Sequence, residues 1–244
     1  MLANIRDILI ITTADEEDRF KKLLKDGSHW GIRISYQVQE KPRGLAEAFI
    51  LGREFIGKDE VCLILGDNLF HGHGLGRKLA QIRNIENARI FGYEVANASK
   101  YGVLEVGDSD QIINLVEKPF GLNRGMAIPG LYFYPNDVVE IAAKLSPSAR
   151  GELEITDLNL VYLSLKRLDW SLLGRDTVWL DMGNFSDLLA ASNMIETLQS
   201  RQSFLIGSPD EISLNQKWLS SESFKSSIEI GIQNSYYSAL KQIL

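Results

Sequence analysis

Short apolar runs alternate with amphipathic segments along the first hundred residues. Three apolar runs and one run of alternating apolar and polar residues predict strands, at Ile8–Ile11, Ile32–Val38, Val61–Leu65 and Arg89–Val95. Helical spacing of apolar residues predicts helices at Asp15–Leu24 and Leu45–Phe55. This order of elements predicts βαβ units and a mostly parallel, mixed sheet with helices on both faces, which is an α/β fold.

The pattern changes after residue 100. Two strands that flank a Gly-Asp-Ser-Asp turn predict a β-hairpin, Tyr101–Val106 with Ile112–Glu117. Further strands are predicted at Gly130–Tyr134 and Trp170–Leu173, and helices at Asp137–Leu145, Glu154–Leu165 and Phe185–Leu198. The last forty or so residues have the pattern of short helices. We therefore expect one domain over residues 1–200 and a C-terminal helical extension over residues 201–244.

Charge and composition exclude some classes of partner. The 244-residue chain carries a net charge of −6, whereas a nucleic-acid polymer or an anionic membrane requires a basic surface. A single nucleotide remains possible, because a few cations and a metal ion suffice to bind it. No apolar stretch is long enough to cross a bilayer, and the first residues lack the layout of a signal peptide, so we expect a cytoplasmic protein. The single cysteine, Cys62, is predicted to be a buried strand residue.

Two aspartates follow apolar runs in distant parts of the chain. Asp67 comes after Val61–Leu65 and a glycine, and Asp181 ends Val178-Trp179-Leu180 before another glycine. Ligands of open α/β sheets bind beyond the carboxyl ends of strands, where carboxylates can hold Mg²⁺ against phosphate oxygens. For Asp67 taken alone, the alternative is a turn or helix-capping aspartate. Two such carboxylates together predict a shared magnesium site.

Other polar residues at strand ends also suggest ligand contacts. The Gln39 amide offers a donor and an acceptor that suit the edge of a pyrimidine, and Gly44 permits close backbone approach, although loops with Pro and Gly are common. Lys118 and Arg150 are candidate phosphate ligands, with surface ion pairs as the alternative. His71 and His73 lack a third ligand at a useful spacing, and we interpret them as loop residues.

Eight sequence strings together resemble one family, the glucose-1-phosphate thymidylyltransferases. They occur in a single order: GLAEAFILG (44–52), LILGDNLF (63–70), FGYEV (91–95), YGVLEV (101–106), VEKP (116–119), PGLYFY (129–134), SARGELEITDLN (148–159) and WLDMGN (179–184). The resemblance covers essentially the whole chain and extends to the tail PDEISLNQKWL (209–219). It implies a Rossmann-like nucleotidyltransferase sheet and the conversion of dTTP and glucose 1-phosphate to dTDP-glucose and pyrophosphate, the first step toward dTDP-rhamnose.

The resemblance also implies roles for individual residues. Gln39 and Gly44, with Leu45 beside them, would bind the thymine, and Asp67 and Asp181 would hold Mg²⁺. The glucose pocket would be lined by Gly102, Glu117 and Ile128, while Lys118 and Arg150 would act as the catalytic cations at the sugar phosphate. A homo-oligomer formed through the C-terminal helices is expected as well.

The sequence departs from the family in two places. Met182 and Asn184 stand where the family has threonines, beside the predicted metal ligand Asp181. In addition, residues 1–244 contain neither the family's first strand nor its Gly-Gly-x-Gly-Thr-Arg loop with the catalytic lysine that follows it. We therefore expect residues 1–244 alone to have no appreciable activity, and a family-type N-terminal segment to restore it.

Two alternatives to this assignment stay open. One is a non-catalytic protein, either a truncated remnant or a regulatory paralogue of the family. The other is a pyrophosphorylase that uses UTP or another sugar phosphate.

Overall fold

The chain folds into two units, which the computed structural model describes over residues 1–202, 204–230 and 234–243. The first unit comprises Met1–Tyr36, His73–Gln81 and Leu180–Leu244, and the second comprises Gln37–Gly72 and Ile82–Trp179. The expected boundary between residues 1–200 and 201–244 stays a prediction, because compactness alone does not show whether the last residues form an extension.

The elements follow the sequence pattern closely. In chain order the strands are β1 (Asp7–Thr12), β2 (Arg33–Val38), β3 (Val61–Ile64), β4 (Asn68–Gly72), β5 (Ala88–Val95), β6 (Gly102–Val106), β7 (Ile112–Glu117), β8 (Gly125–Ala127), β9 (Leu131–Tyr134), β10 (Leu168–Leu172) and β11 (Thr177–Asp181). The α-helices are α1 (Ala14–Leu24), α2 (Glu47–Leu51), α3 (Arg53–Ile56), α4 (Leu75–Ala80), α5 (Val138–Ala142), α6 (Ile155–Ser164), α7 (Phe185–Gln199), α8 (Pro209–Asn215), α9 (Ser221–Ile230) and α10 (Ser235–Ile243).

Some of these elements were not predicted from the sequence. The expected helix over Leu45–Phe55 is divided at Gly52 into α2 and α3. The strands β4 and β8 and the helix α4 are too short to give a clear periodic signal. His71, interpreted as a loop residue, lies instead in β4, whereas His73 follows that strand.

A seven-stranded mixed sheet forms the centre of the second unit. Its order is β3-β9-β5-β8-β6-β7, with β10 paired to β5. The α/β class is confirmed, but neighbouring strands are not mostly parallel: β10 runs parallel to β5, and the other five pairings are antiparallel. The reason is that β9 lies antiparallel between β3 and β5, which therefore share a direction. The hairpin of β6 and β7 is confirmed.

Each unit has a buried apolar cluster of its own. In the second unit the sheet and helices α2, α5 and α6 bury a large cluster that includes Phe49, Ile90, Tyr134 and Leu158. In the first unit Phe224 and Leu240 are buried against partly exposed neighbours. Cys62 lies in β3 as predicted and is partly buried. Burial raises the pKa of its thiol to about 12, so it stays protonated and unreactive at neutral pH.

Candidate functional site

The second unit contains every predicted site residue except Asp181. Asp67 follows β3, and the exposed carboxylate is held by its neighbour, because Asn68 Nδ2 donates to Asp67 Oδ1 at 2.7 Å. Asn68 is itself fixed, since its Oδ1 accepts from the backbone N–H of Gly130 at 3.0 Å and from Trp179 Nε1 at 2.7 Å. Two N–H donors leave the Asn68 amide one orientation only. The chain therefore holds the Asp67 carboxylate through one of its two oxygens.

Asp181 is the last residue of β11 and belongs to the first unit. Its proposed pairing with Asp67 at one magnesium ion stays a prediction. Within the described ranges 1–202, 204–230 and 234–243, no cluster of three or more His, Cys, Asp or Glu side chains could hold a metal ion. Mg²⁺ does not require such a cluster, because it is commonly held by one or two carboxylates together with substrate phosphates and water.

The Gln39 side chain is half-buried and contacts its own loop. Its Nε2 donates to Glu47 Oε2 at 2.7 Å, and the same nitrogen lies 3.5 Å from the carbonyl oxygen of Gly44. The Glu47 carboxylate is 13% exposed, with Oε1 3.7 Å from Arg43 Nη1. The donor end of the Gln39 amide is therefore used within the protein, and the carbonyl end is left for a ligand.

Glycine is required at position 44 because the backbone of Leu153 lies too close for a side chain. It has φ +99°, and a Cβ atom at this position would lie 2.4 Å from the carbonyl oxygen of Leu153 and 2.6 Å from its nitrogen. Two backbone hydrogen bonds maintain this approach, from Leu153 to Arg43 and from Ala46 to Leu153. The predicted base-binding loop is thus joined to the segment that carries Arg150. Leu45, the next residue, is 41% exposed and remains available for contact.

The three residues of the predicted sugar pocket lie close to Thr156, a residue that the sequence analysis did not identify. Thr156 is buried at the start of α6, and its Oγ1 donates to Glu117 Oε2 at 2.6 Å. A Cβ atom on Gly102 would lie 3.3 Å from Glu117 Oε2, 3.4 Å from Thr156 Oγ1 and 3.9 Å from Ile128 Cδ1. The absence of a side chain at Gly102 therefore leaves room beside a fixed carboxylate. A carboxylate of this kind can accept hydrogen bonds from sugar hydroxyls.

The two predicted cations are each paired with carboxylates. Lys118 has φ +44°, its backbone N–H donates to Tyr101, and its Nζ lies 3.7 Å from Glu117 Oε1. Arg150 Nη2 donates to both oxygens of Glu154 at 2.9 Å and lies 3.4 Å from Glu152 Oε2. The hydrogen bonds to Glu154 raise the pKa of Arg150, which keeps the guanidinium charged. The sequence analysis gave ion pairs with carboxylates as the alternative to phosphate binding. Arg150 makes such ion pairs in the structure.

Acidic groups surround these cations at the start of α6. Asp157 lies on the first turn of that helix, where burial and then the charges of Glu154 and Glu117 raise the pKa of its carboxyl. Burial is the larger cause, and the two neighbouring carboxylates add to it.

The residues that sequence reasoning missed all contact predicted ones. Glu47, Asn68 and Thr156 lie within the strings that carry the family resemblance, but the sequence alone did not show what they touch. Asn68, directly after Asp67, was detectable as a neighbour of a candidate ligand. The partners of Glu47 and Thr156 depend on the folded backbone.

Comparison with known proteins gives a consistent result. A family model for nucleotidyl transferases matches residues 1–197. The glucose-1-phosphate thymidylyltransferase of Mycobacterium tuberculosis is 45% identical over 244 residues, which span 100% of this chain and 85% of the relative. A protein of the same name from Neisseria meningitidis is 44% identical over 245 residues, again with 100% and 85% coverage.

Solved structures show the same fold. A Bacillus anthracis protein described as a glucose-1-phosphate thymidylyltransferase, crystallised in complex with a sucrose, superposes with a TM-score of 0.71 at 32% identity. The match covers 79% of this chain and 77% of that one. A UDP-glucose pyrophosphorylase complexed with UDP-glucose shares the fold, with a TM-score of 0.65 at 24% identity over 80% and 82% of the two chains.

Across the described residues, no helix has both the length and the apolar content to cross a membrane.

The family model covers most of the chain, and the relatives are similar along its entire length. The chain therefore belongs to the nucleotidyl transferase family, among the glucose-1-phosphate thymidylyltransferases.

Proposed function

We propose that this protein forms dTDP-glucose and pyrophosphate from dTTP and glucose 1-phosphate, the first step toward dTDP-rhamnose. A phosphate oxygen of glucose 1-phosphate attacks the α-phosphorus of dTTP, and the bond from that phosphorus to the bridging oxygen of the pyrophosphate breaks. Pyrophosphate leaves with the bridging oxygen and its electron pair. Such a reaction depends mainly on positioning the two substrates and on neutralising charge.

The observation that carries this proposal is the convergence of Gly102, Glu117, Ile128 and Thr156. A carboxylate fixed by a 2.6 Å hydrogen bond from a buried hydroxyl is a preorganised acceptor for sugar hydroxyls. Lys118 follows Glu117 directly in the chain, so a cation lies beside the acceptor. A sugar that also bears a phosphate is the ligand that suits both groups.

Lys118 and Arg150 would neutralise the phosphate of the sugar. Both retain exposed side chains, at 52% and 48%, so each can exchange a carboxylate partner for a phosphate oxygen. Arg150 offers a planar guanidinium that can contact two phosphate oxygens at once. Gln39, with Gly44 and Leu45, would bind the base of the nucleotide.

Mg²⁺ fits the chemistry of Asp67, because carboxylate oxygens are the protein ligands that this ion prefers. Asn68 donates a hydrogen bond to Oδ1 of Asp67, so Oδ2 would be the oxygen that binds the ion. When bound, Mg²⁺ would neutralise charge on the α-phosphate. Asp181 is the second ligand that we propose on the basis of the resemblance, and its contribution is tested by substitution. A homo-oligomer and a cytoplasmic location belong to the same proposal.

Nucleotide preference tests the function against its closest alternative. The test uses a polypeptide that joins a family-type N-terminal segment to residues 1–244, with glucose 1-phosphate as co-substrate and Mg²⁺ present. We expect its kcat/KM to be highest for dTTP, lower for UTP and negligible for ATP. A preference for UTP would assign the protein to UDP-sugar synthesis, and a preference for ATP would overturn the assignment of Gln39 to a pyrimidine. Absence of turnover with all three would favour the non-catalytic alternative.

A further inference from the structure

The contacts of Gln39 determine which end of its amide faces a ligand. Nε2 lies 2.7 Å from Glu47 Oε2 and 3.5 Å from the carbonyl oxygen of Gly44. Both neighbours are oxygens that only accept hydrogen bonds, so the NH₂ end must face them. The reversed amide would bring its own oxygen against two others. The hydrogen-bonding character of these neighbours therefore determines the orientation of the Gln39 amide, which distances between heavy atoms alone do not determine.

Glu47 is the stronger of the two anchors. Its carboxylate accepts the shorter hydrogen bond and is 13% exposed, so water competes with it only weakly. Arg43 Nη1 lies 3.7 Å from the second carboxylate oxygen, Oε1. The backbone bonds between this loop and Leu153 fix the Gly44 carbonyl in addition. Glu47 and Gly44 thus use the two hydrogens of the amide, and Gln39 Oε1 is turned away from both.

We propose that Glu47 is a positioning residue that selects the base of the nucleotide through Gln39. An outward carbonyl oxygen accepts a hydrogen bond from the N3–H of thymine or uracil. Cytosine has an unprotonated N3, which is itself an acceptor and would face Gln39 Oε1 with no hydrogen between them. Glu47 therefore favours pyrimidines that carry an imide N–H and disfavours cytosine. This inference rests on the proposed function, in which Gln39 binds the base.

Substitution of Glu47 with two matched residues separates hydrogen bonding from volume. Glu47→Met has a similar length but accepts no comparable hydrogen bond, whereas Glu47→Gln retains an acceptor oxygen. Dissociation constants for dTTP, UTP and dCTP are measured by calorimetry with Mg²⁺, on the whole protein, with melting temperatures to verify folding. Binding is chosen because it is independent of turnover.

We expect the preference for dTTP over dCTP to fall by about tenfold in Glu47→Met, since its Gln39 amide is free to turn its NH₂ group toward cytosine N3. Glu47→Gln should retain most of the preference. The ratio of dTTP to UTP should stay unchanged in both variants, because the two bases share the imide. If Glu47→Met does not fold, Glu47→Asp, whose carboxylate is one methylene shorter, is expected to give the same loss.

The other outcomes contradict either the role of Glu47 alone or the proposed function as well. An unchanged dTTP-to-dCTP ratio in folded Glu47→Met, or an equal loss in Glu47→Gln, would overturn the positioning role of Glu47 and leave the proposed function standing. Wild-type protein that binds neither dTTP nor UTP would overturn the proposed function and this inference together.

Discussion

The residues around Glu117 and those around Arg150 lie in the same unit but are held in opposite ways. Glu117 receives a 2.6 Å hydrogen bond from Thr156, whose side chain is buried. Arg150 is exposed and is paired with Glu152 and Glu154, contacts that solvent screens. A fixed acceptor suits a ligand that is recognised by the positions of its hydroxyls. An exposed cation suits a phosphate that must arrive, change its bonding and leave.

The largest effect is expected when a carboxylate that we assign as a Mg²⁺ ligand loses its negative charge. Asp67→Asn keeps the shape of the side chain but removes the negative charge that attracts Mg²⁺. We expect kcat to fall by about a hundredfold or more, the range seen when a preorganised electrostatic group is lost. Asp181→Asn should have a similar effect if the two carboxylates share the ion. Turnover is measured across a magnesium titration, in the polypeptide that joins a family-type N-terminal segment to residues 1–244.

Asp108→Asn, at the exposed tip of the hairpin between β6 and β7, is the matched control and should leave turnover unchanged. Nearly normal rates for both Asp67→Asn and Asp181→Asn at saturating Mg²⁺ would remove the proposed metal ligands.

Arg150→Met tests the exposed half of the comparison. Because its ion pairs are solvent-exposed, we expect the free energy of unfolding to change little. In the polypeptide with the family-type N-terminal segment, kcat/KM for glucose 1-phosphate should fall by about tenfold to a hundredfold, because a hydrogen bond between two charged groups is lost. Steady-state kinetics and urea unfolding measure the two effects.

The control for this experiment is Arg124→Met, which breaks another exposed ion pair, with Glu94. It should change neither quantity appreciably. A large loss of stability in Arg150→Met with unchanged kinetics would mean that Arg150 serves the fold and not the phosphate.

Thr156→Val tests the buried half and has the smallest expected effect on the reaction. Valine has nearly the same shape, so the change removes the hydrogen bond to Glu117 with little loss of packing. In the polypeptide with the family-type N-terminal segment, we expect a loss of about 1 kcal/mol in stability and a rise of a few-fold in KM for glucose 1-phosphate, with kcat less affected. Thr156→Ser, which keeps the hydroxyl, should restore KM. An unchanged KM in folded Thr156→Val would show that orientation of Glu117 by Thr156 does not matter for binding.

Local patterns in the sequence were sufficient for most of the elements. Apolar runs gave β1, β3 and β5, and the four-residue polar turn gave the hairpin of β6 and β7. The position of β9 was not predictable in this way. It pairs antiparallel with both β3 and β5, and such pairings are set by contacts between residues far apart in the chain.

In the candidate site, too, the sequence predicted some residues and not others. Positions in the sequence indicated Asp67, Lys118 and Arg150, and the resemblance added Glu117. Neither indicated the side chains that hold these residues. Asn68, for example, is fixed by partners 62 and 111 residues away in sequence. Periodicity carries no information about contacts of that kind, and so the supporting residues emerged only from the folded chain.

Pyrophosphate release from dTTP and glucose 1-phosphate tests the central claim most directly. A polypeptide that joins a family-type N-terminal segment to residues 1–244 is predicted to release pyrophosphate and dTDP-glucose in equal amounts, in a Mg²⁺-dependent reaction that stops when glucose 1-phosphate is omitted. Residues 1–244 alone, at the same folded concentration, are predicted to release little. Equal rates for the two polypeptides would contradict the importance assigned to the phosphate loop. No release from either, in protein that folds and contains intact Asp67 and Asp181, would contradict the proposed function itself.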